Sequence, residues 1–424
     1  VSSTYFAEGL PYMIVRYLAG VYFTDIGVKE RYLGFLNLFA LPWNFKFVWA
    51  PAVDIFGTKR GWLLRVEGLL VVVIALLGFG ALAGPAPVPP GAAAVGGSAF
   101  ALRAMLALLV AGAFLAATHD VSIDGYYMDR ITDPTEQAAY TGLRVLTYRL
   151  AIIFTRSVLV AAASLLAWHW SFFGAALTLG LLWGFHSWYL PRPAAKPPAA
   201  VQLRELERLY LRSFVEWFRQ PRIVLIIIFV MTYKLGDEIL FSMHTPFLMR
   251  SLGLPKTDLA WMQGILGTGA GIGGSLVSAW TIKRFGLKRV IWPLTLGMNL
   301  NIWVYVWLAS ARPSPHTARG LAVIALILCY EQFAGGLGNA VTMIYAMRTC
   351  KPEFKAGHFA IASAITSLVG TLTGAFGGVL VERIGYVWLF VLAFVAAVPS
   401  MVALPFVPLL DEHAPRAPRA RSRG

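Results

Sequence analysis

Read for hydropathy alone, the chain breaks into twelve apolar stretches, near 1–24, 31–53, 62–84, 99–128, 138–167, 169–190, 223–250, 258–282, 289–310, 319–347, 357–381 and 386–408. At 1.5 Å of rise per residue each can cross a hydrocarbon core of roughly 30 Å as a helix. The stretches are too long and too uniformly apolar for the alternating signal of a transmembrane barrel, and only helices and closed barrels satisfy their backbone in lipid. The pattern therefore predicts an all-α, polytopic bundle of twelve transmembrane helices. The first stretch carries neither a basic leader nor a small-residue cleavage pattern, so it reads as a mature helix, not a signal peptide. Because it opens abruptly at Val1, a few residues are expected to precede it.

The largest polar interruption, 191–222, starts with a Pro-rich run and continues with Leu203, Leu206, Tyr210, Phe214 and Trp217 at helical spacing among arginines. That is the pattern of an amphipathic helix lying at the interface. It divides the chain into an N-terminal half, 1–190, a linker, 191–222, a C-terminal half, 223–410, and a basic tail, 411–424. A repeat supports the division. Asp120-Val-Ser-Ile-Asp124-Gly-Tyr126-Tyr-Met128 aligns without gaps on Asn339-Ala-Val-Thr-Met343-Ile-Tyr345-Ala-Met347, and Lys59-Arg60 after the second stretch corresponds to Lys288-Arg289 after the eighth. Duplication into two pseudo-symmetric six-helix halves is a hallmark of major-facilitator transporters.

Composition sharpens the class. The chain is 58% hydrophobic and 13% charged, with a mean hydropathy of +0.66. A soluble domain has about 45–50% apolar and about 25% charged residues, so a conventional soluble enzyme is excluded. The net charge of +15 and pI near 9.9 first admit nucleic acid as a partner. Position removes that reading. The loop 85–98 has no basic residue and the central loop has seven, which is the positive-inside distribution for a chain with both termini in the cytoplasm, expected here of a bacterial inner membrane. The two cysteines, Cys329 and Cys350, fall about 30 Å apart on one predicted helix, too far for a disulfide.

Away from the ends of the predicted spans, six cations, Arg16, Lys46, Arg103, Arg149, Arg156 and Lys234, and six acids, Glu8, Asp120, Asp124, Asp237, Glu238 and Glu331, stand out. A charge near the centre of a span costs about 2.5–3.5 kcal/mol on insertion scales, so twelve of them require pairing or a hydrated pathway. The acids sit on spans 1, 4, 7 and 10, the set that lines the cavity of major facilitators. Asp120, Asp124, His119, Glu8, Asp237, Glu238 and Glu331 are thus the candidates for proton coupling or substrate contact. Burial favours the neutral form of a carboxylate and a nearby cation favours the charged form, which is how a proton carrier is tuned. Lys46, Arg149, Arg156 and Lys234 are the candidates for anion binding or for pairing with the acids. Lys234 and Glu238, four apart on one helix, are expected to neutralise each other. Asp54, Lys59 and Arg60 mark a candidate cytoplasmic gate. No nucleophile–base pair or metal-ligand cluster is visible, so no enzyme activity, metal or cofactor is expected. The Gly269-Ala-Gly271-Ile-Gly273-Gly274 run has dinucleotide-loop spacing but lies inside an apolar stretch, where close helix packing explains it.

Five motifs in order resemble those of the AmpG-type muropeptide permeases, a branch of the major facilitators. They are Glu8-Gly-Leu-Pro11, Phe45-Lys-Phe-Val-Trp-Ala-Pro51-Ala-Val-Asp54, His119-Asp120-Val-Ser-Ile-Asp124-Gly, Tyr148-Arg149-Leu150 and Tyr233-Lys234-Leu-Gly-Asp237, continued by Gly335-Gly336-Leu-Gly338-Asn339-Ala340. The resemblance implies proton-driven import of anhydro-muropeptides by alternating access, with Asp120 leading among the coupling candidates and Lys46, Arg149 and Lys234 facing substrate carboxylates or holding the acids. His119 stands where that family usually has glutamine, which places the chain in a divergent subgroup. The wider group includes acetyl-CoA transporters, so another sugar, peptide or coenzyme conjugate is the alternative cargo, and a lipid flippase the more distant one. The partners implied are the lipid bilayer and a small-molecule solute, not nucleic acid, for a chain acting as a monomer and driven by the proton gradient.

Overall fold

The computed structural model describes residues 1–85, 87, 99–128, 134–192, 212–351 and 355–408. Of the amphipathic helix expected over 203–217, only the part from 212 lies within them, and the basic tail 411–424 lies outside. The described residues contain no strand. They form twelve helical rods: α1 (2–25), α2 (30–55), α3 (Lys59–Ala83), α4 (Ala99–Met128), α5 (134–165), α6 (Trp168–Tyr189), α7 (223–251), α8 (256–285), α9 (Leu287–Ala311), α10 (Ala318–Arg348), α11 (355–384) and α12 (386–403). α11 and α12 meet at Gly385, whose φ of 75° breaks the helix. Seven stretches are long and apolar enough to cross a membrane, among them Ile361–Phe406, which runs across that break.

The interruptions have local causes. α1 and α7 each pass into a π turn shortly after an internal proline, Pro11 before 14–18 and Pro246 before 247–251, because proline removes one hydrogen bond of the ladder. α7 is also broken at Tyr233–Lys234, where Lys234 takes φ −103° and ψ 3°. The starts of α3 and α10 are capped by threonines: Thr58 accepts from the Gly61 N–H and Thr317 from the Gly320 N–H, each at 3.1 Å.

The rods alternate in direction, so one end of the bundle carries the start of α1 and the end of α12. We call it the terminal end, and the opposite one the far end. Three apolar clusters follow this polarity. The largest unites Leu10, Tyr22 and Phe23 of α1 with Leu240 and Phe247 of α7, Tyr305 of α9 and Phe390 of α12. Towards the terminal end the core divides: Tyr5, Leu63, Ile123, Tyr126 and Leu190 form one cluster, and Phe229, Ile282, Ile291, Tyr345 and Leu404 another. The second holds Trp217 of a short helix, 212–218, whose Glu216 pairs with Lys351 at 2.6 Å. The hydrogen bond and charge of Lys351 hold the Glu216 carboxyl below its usual range.

Polar bonds between residues 1–192 and 212–408 repeat the pattern. Among the described residues they gather at the far end and the middle of the bundle. Arg250, at the end of α7, donates to the carbonyls of Phe23, Thr24 and Val28 and pairs with Glu30 at 3.0 Å. Lys256 pairs with Asp25 at 2.6 Å and Arg31 with Glu382 at 2.9 Å. Gly34 of α2 lies where a Cβ would stand 2.6 Å from the Ala375 carbonyl of α11, so only glycine permits this approach. Deeper, Asn44 of α2 donates to Thr371 at 3.1 Å and accepts from Ser367 at 2.5 Å. The bundle is therefore sealed at the far end and splayed at the terminal end.

The glycine run of α8 is a packing surface, as its apolar setting predicts. A Cβ on Gly274 would run into the Phe333 backbone of α10, whereas one on Gly269 meets nothing within 4 Å. Ser278 Oγ donates to the Leu337 carbonyl at 3.0 Å across the same contact. Gly274→Val should destabilise the detergent-purified protein by about 1–3 kcal/mol, the usual range for overpacking. Gly269→Ala should leave thermal unfolding unchanged.

Candidate functional site

α1, α2, α4 and α5 bring five charges together in the first half. Glu8 stands one turn before Pro11 on α1, and Asp120 and Asp124 share a face of α4. One carboxylate oxygen from each of the three lies within 4.8 Å of those of the other two. Two cations meet them. Lys46, in the short 3-10 turn that interrupts α2, is hydrogen-bonded to Asp120. Arg144 of α5 pairs with Asp124 at 2.7 Å, reaches Glu8 at 3.7 Å and lies over the Tyr5 ring. Tyr5 also donates to Asp124 at 3.2 Å. The Lys46 and Arg144 side chains remain 35% and 39% exposed, while those of Asp120 and Glu8 are 9% and 7%. The acids thus form the floor of the cluster and the cations its open rim.

With all groups ionised, three carboxylates face two cations. Like charges this close in a poorly screened site cannot all persist without a compensating positive charge. Glu8 Oε2 is buried with no hydrogen-bond partner, so the deficit falls on a group with room for a proton. Tyr12, Trp43 and Tyr148 stand beside the cluster, the first two edge-to-face at 5.0 Å. Such faces suit stacking against a sugar ring.

The second half has a smaller counterpart. Lys234 donates to Asn339 at 2.5 Å and lies 3.9 Å from Asp237. Its ionic partner is therefore Asp237, three residues on, and not Glu238 as the four-residue spacing suggested. Asp237 is 2% exposed and neither of its oxygens has a hydrogen-bond partner. Glu238 packs its side chain against Gly370 of α11. Glu331 lies in a third group on the far side of the midplane. Its carboxylate accepts from Tyr305, from His244 at 2.9 Å and from Gln332 at 3.2 Å.

Four other candidates stand away from the acid cluster. His119 is 1% exposed and turned towards Glu67 of α3 and His186 of α6, on the side of α4 away from the Asp120 pair, and neither ring nitrogen has a partner. Arg156 reaches Gln332 at 3.4 Å and stacks on Tyr17 at 4.9 Å, at the seam between halves, so it holds none of the acids. Arg60 donates to the carbonyls of Ser187 and Leu190 at 2.7 and 2.9 Å, capping α6 within its own half where helix-end carbonyls lack partners. Lys59 packs against Gly125 of α4, and the side chain of Asp54 lies outside the described residues. Arg149, like Arg156, forms no ion pair with a described carboxylate, whereas Lys46 and Lys234 each pair with an acid.

The Major Facilitator Superfamily sequence model matches residues 1–331. The chain belongs to the major facilitator superfamily. The resemblance carried by its motifs is matched by the anhydromuropeptide permease of Escherichia coli (strain K12), 29% identical over 406 residues, covering 94% of this chain and 77% of that one. The AmpG 4 protein of Rickettsia felis is 20% identical over 421 residues and is covered, like this chain, to 94%. Among solved structures, a POT family transporter superposes with a TM-score of 0.68 at 13% identity, covering 97% of this chain and 96% of its own. A D-xylose–proton symporter does so with a TM-score of 0.64 at 11% identity over 97% of each chain. As a major facilitator, the chain is an integral membrane protein and a secondary transporter.

Within that fold two features escape a reading by spacing. Arg144 falls near the predicted start of its span and is absent from the candidates that sequence singles out, yet its long side chain reaches the acids. Glu67 and His186, each completely buried, pair at 2.9 Å between α3 and α6. Glu67, the one acid of α3, was the signal that could have found them. Lys46→Met should destabilise the protein by about 1–3 kcal/mol, less than the ~3–5 of a fully buried pair because the lysine is partly exposed. Adding Asp120→Asn should recover most of the loss in thermal unfolding.

Proposed function

We propose that this major facilitator is a proton-coupled importer of a bulky anionic solute, of which an anhydro-muropeptide is the leading candidate. The carrying observation is the cluster of Glu8, Asp120 and Asp124 against only Lys46 and Arg144. A site one positive charge short accepts a proton from outside, and its rim cations bind an anion. The 29% identity to a permease whose name specifies anhydromuropeptide supports the cargo. The aromatic faces of Tyr12, Trp43 and Tyr148 supply stacking surface for its sugars, and Arg149 supplies a cation for its carboxylates.

The chain lies in the bacterial inner membrane with both termini in the cytoplasm, so the splayed terminal end faces inward and the sealed far end faces outward. This is the inward-open state of an alternating-access cycle. Proton binding at the three-acid cluster removes the like-charge repulsion that an incoming anion would otherwise add to. Release of the proton into the cytoplasm restores it and expels the cargo.

Uptake of labelled anhydro-muropeptide into cells or proteoliposomes tests the reading. Uptake should collapse with an uncoupler and with Asp120→Asn. Arg149→Gln should weaken apparent affinity about tenfold or more, the worth of a charged hydrogen bond of ~1.5–3 kcal/mol. Undiminished uptake with both the uncoupler and Asp120→Asn would refute the coupling, and competition by a coenzyme conjugate but not by muropeptide would reassign the cargo.

A further inference from the structure

Lys234 and Asp237 stand near the middle of α7 with the hydrogen bond between them unmade. The ammonium donates to Asn339 Oδ1 of α10 at 2.5 Å and stops 3.9 Å from Asp237, beyond hydrogen-bond reach. Asp237 is buried, and neither of its oxygens meets a protein donor. Such a position favours a neutral carboxyl, because a buried ion without donors is far more costly than a buried acid. The charged and titratable groups facing Asp237 are Lys234 and Glu238 on its own helix, Tyr233 one turn before, and Glu331 of α10. α9 and α12 close on this turn at Gly236 with the apolar groups of Ile302 and Ala397, and with the Ala393 carbonyl. Glu331 is met by Tyr305, His244 and Gln332, the surroundings of an ionised carboxylate, so a second negative charge beside it is opposed.

The internal repeat gives this arrangement a counterpart. Asn339 aligns with Asp120, and each takes a hydrogen bond from a lysine, Lys46 in the first half and Lys234 in the second. By rise per residue, Asp120 and Asn339 stand about 12 and about 14 Å from the terminal ends of α4 and α10, so the two lysines work at one depth. Asparagine, unlike aspartate, has no charge to neutralise its lysine. The charge partner of Lys234 is instead Asp237, and while that carboxyl is neutral the ammonium keeps its full charge beside the exposed Asn339, on the splayed side of the bundle. A cation so placed inside a membrane protein calls for a counter-ion, and an anion entering the cavity can supply it.

From this geometry we propose that Lys234 and Asp237 form a second, proton-linked anion site, on the C-terminal half. A proton on Asp237 leaves Lys234 free for a carboxylate of the cargo. Loss of that proton to the cytoplasm restores the Asp237 charge, draws the ammonium across the gap and displaces the cargo. Proton and anion thus bind with positive coupling, each raising the affinity for the other. The proposal rests on the proton-coupled reading above and adds to it a second proton and a second anionic contact, across the cavity from the first-half cluster.

Binding of labelled anhydro-muropeptide to the purified full-length protein, without a gradient, is measured at about pH 6 and about pH 8.5. The parent should bind more weakly at the higher pH. In Asp237→Asn, where the lysine is permanently free, that loss should shrink about tenfold or more, leaving binding at the higher pH tighter than in the parent. Lys234→Gln should weaken binding about tenfold at the lower pH, and adding Asp237→Asn to it should change nothing further. A purely structural pair predicts the opposite: Asp237→Asn would weaken binding at both pH values, and the double variant would restore it. That result, a pH dependence undiminished in Asp237→Asn, or unweakened binding in Lys234→Gln, would overturn the proposal and leave coupling at the first-half cluster standing. A parent affinity indifferent to pH would remove the coupled reading and the proposal together. If the parent binds no anhydro-muropeptide, the cargo reading fails and infrared spectra decide. A protonated-carboxyl band that is lost in Asp237→Asn and persists to higher pH in Lys234→Gln supports the linked pair, and a parent without that band at any pH overturns it.

Discussion

Everything in this molecule is arranged around the cost of holding charge inside a membrane. An unpaired ion at depth is expensive, so each acid and base in the interior must find a partner, a polar neighbour or water. The first half meets that demand incompletely: Glu8, Asp120 and Asp124 share Lys46 and Arg144. A fully neutralised set would be a structural brace. One left a positive charge short is the observation on which the proposed proton coupling rests.

The distribution of apolar packing gives the shortfall a direction. At the far end one core runs through both halves, and Arg250 clasps three backbone carbonyls and Glu30 on the opposite side of the seam. At the terminal end the core divides in two, and the acid cluster's cations keep their exposure there. Opening the far end means breaking a set of directional hydrogen bonds, while closing the terminal end means bringing two apolar clusters together. These are different kinds of interaction.

Much of this was legible in the sequence because hydropathy and charge placement are strong signals in lipid. The twelve stretches, the absence of strands among the described residues and the packing role of Gly274 all follow from composition along the chain. The motif order pointed to the same relatives that overall identity does. What could not be read were partners chosen by side-chain reach. Lys234 meets Asp237, three residues on, and not Glu238, four residues on, and spacing alone admits both. Arg144 enters the site from a position that counting along the axis assigns to the rim. His119 sits beside Asp120 in sequence but on another face of α4, since adjacent residues on a helix point about 100° apart.

The claim that the first-half cluster holds an exchangeable proton is open to direct spectroscopic measurement. Infrared difference spectra of the purified protein, recorded between acid and alkaline pH, report the C=O stretch of a protonated carboxyl. A band that titrates in the native protein and is lost or displaced in both Glu8→Gln and Asp120→Asn is the result expected of three carboxylates facing two cations. A spectrum with no protonated carboxyl assignable to Glu8, Asp120 or Asp124 at any pH where the protein stays folded would contradict it.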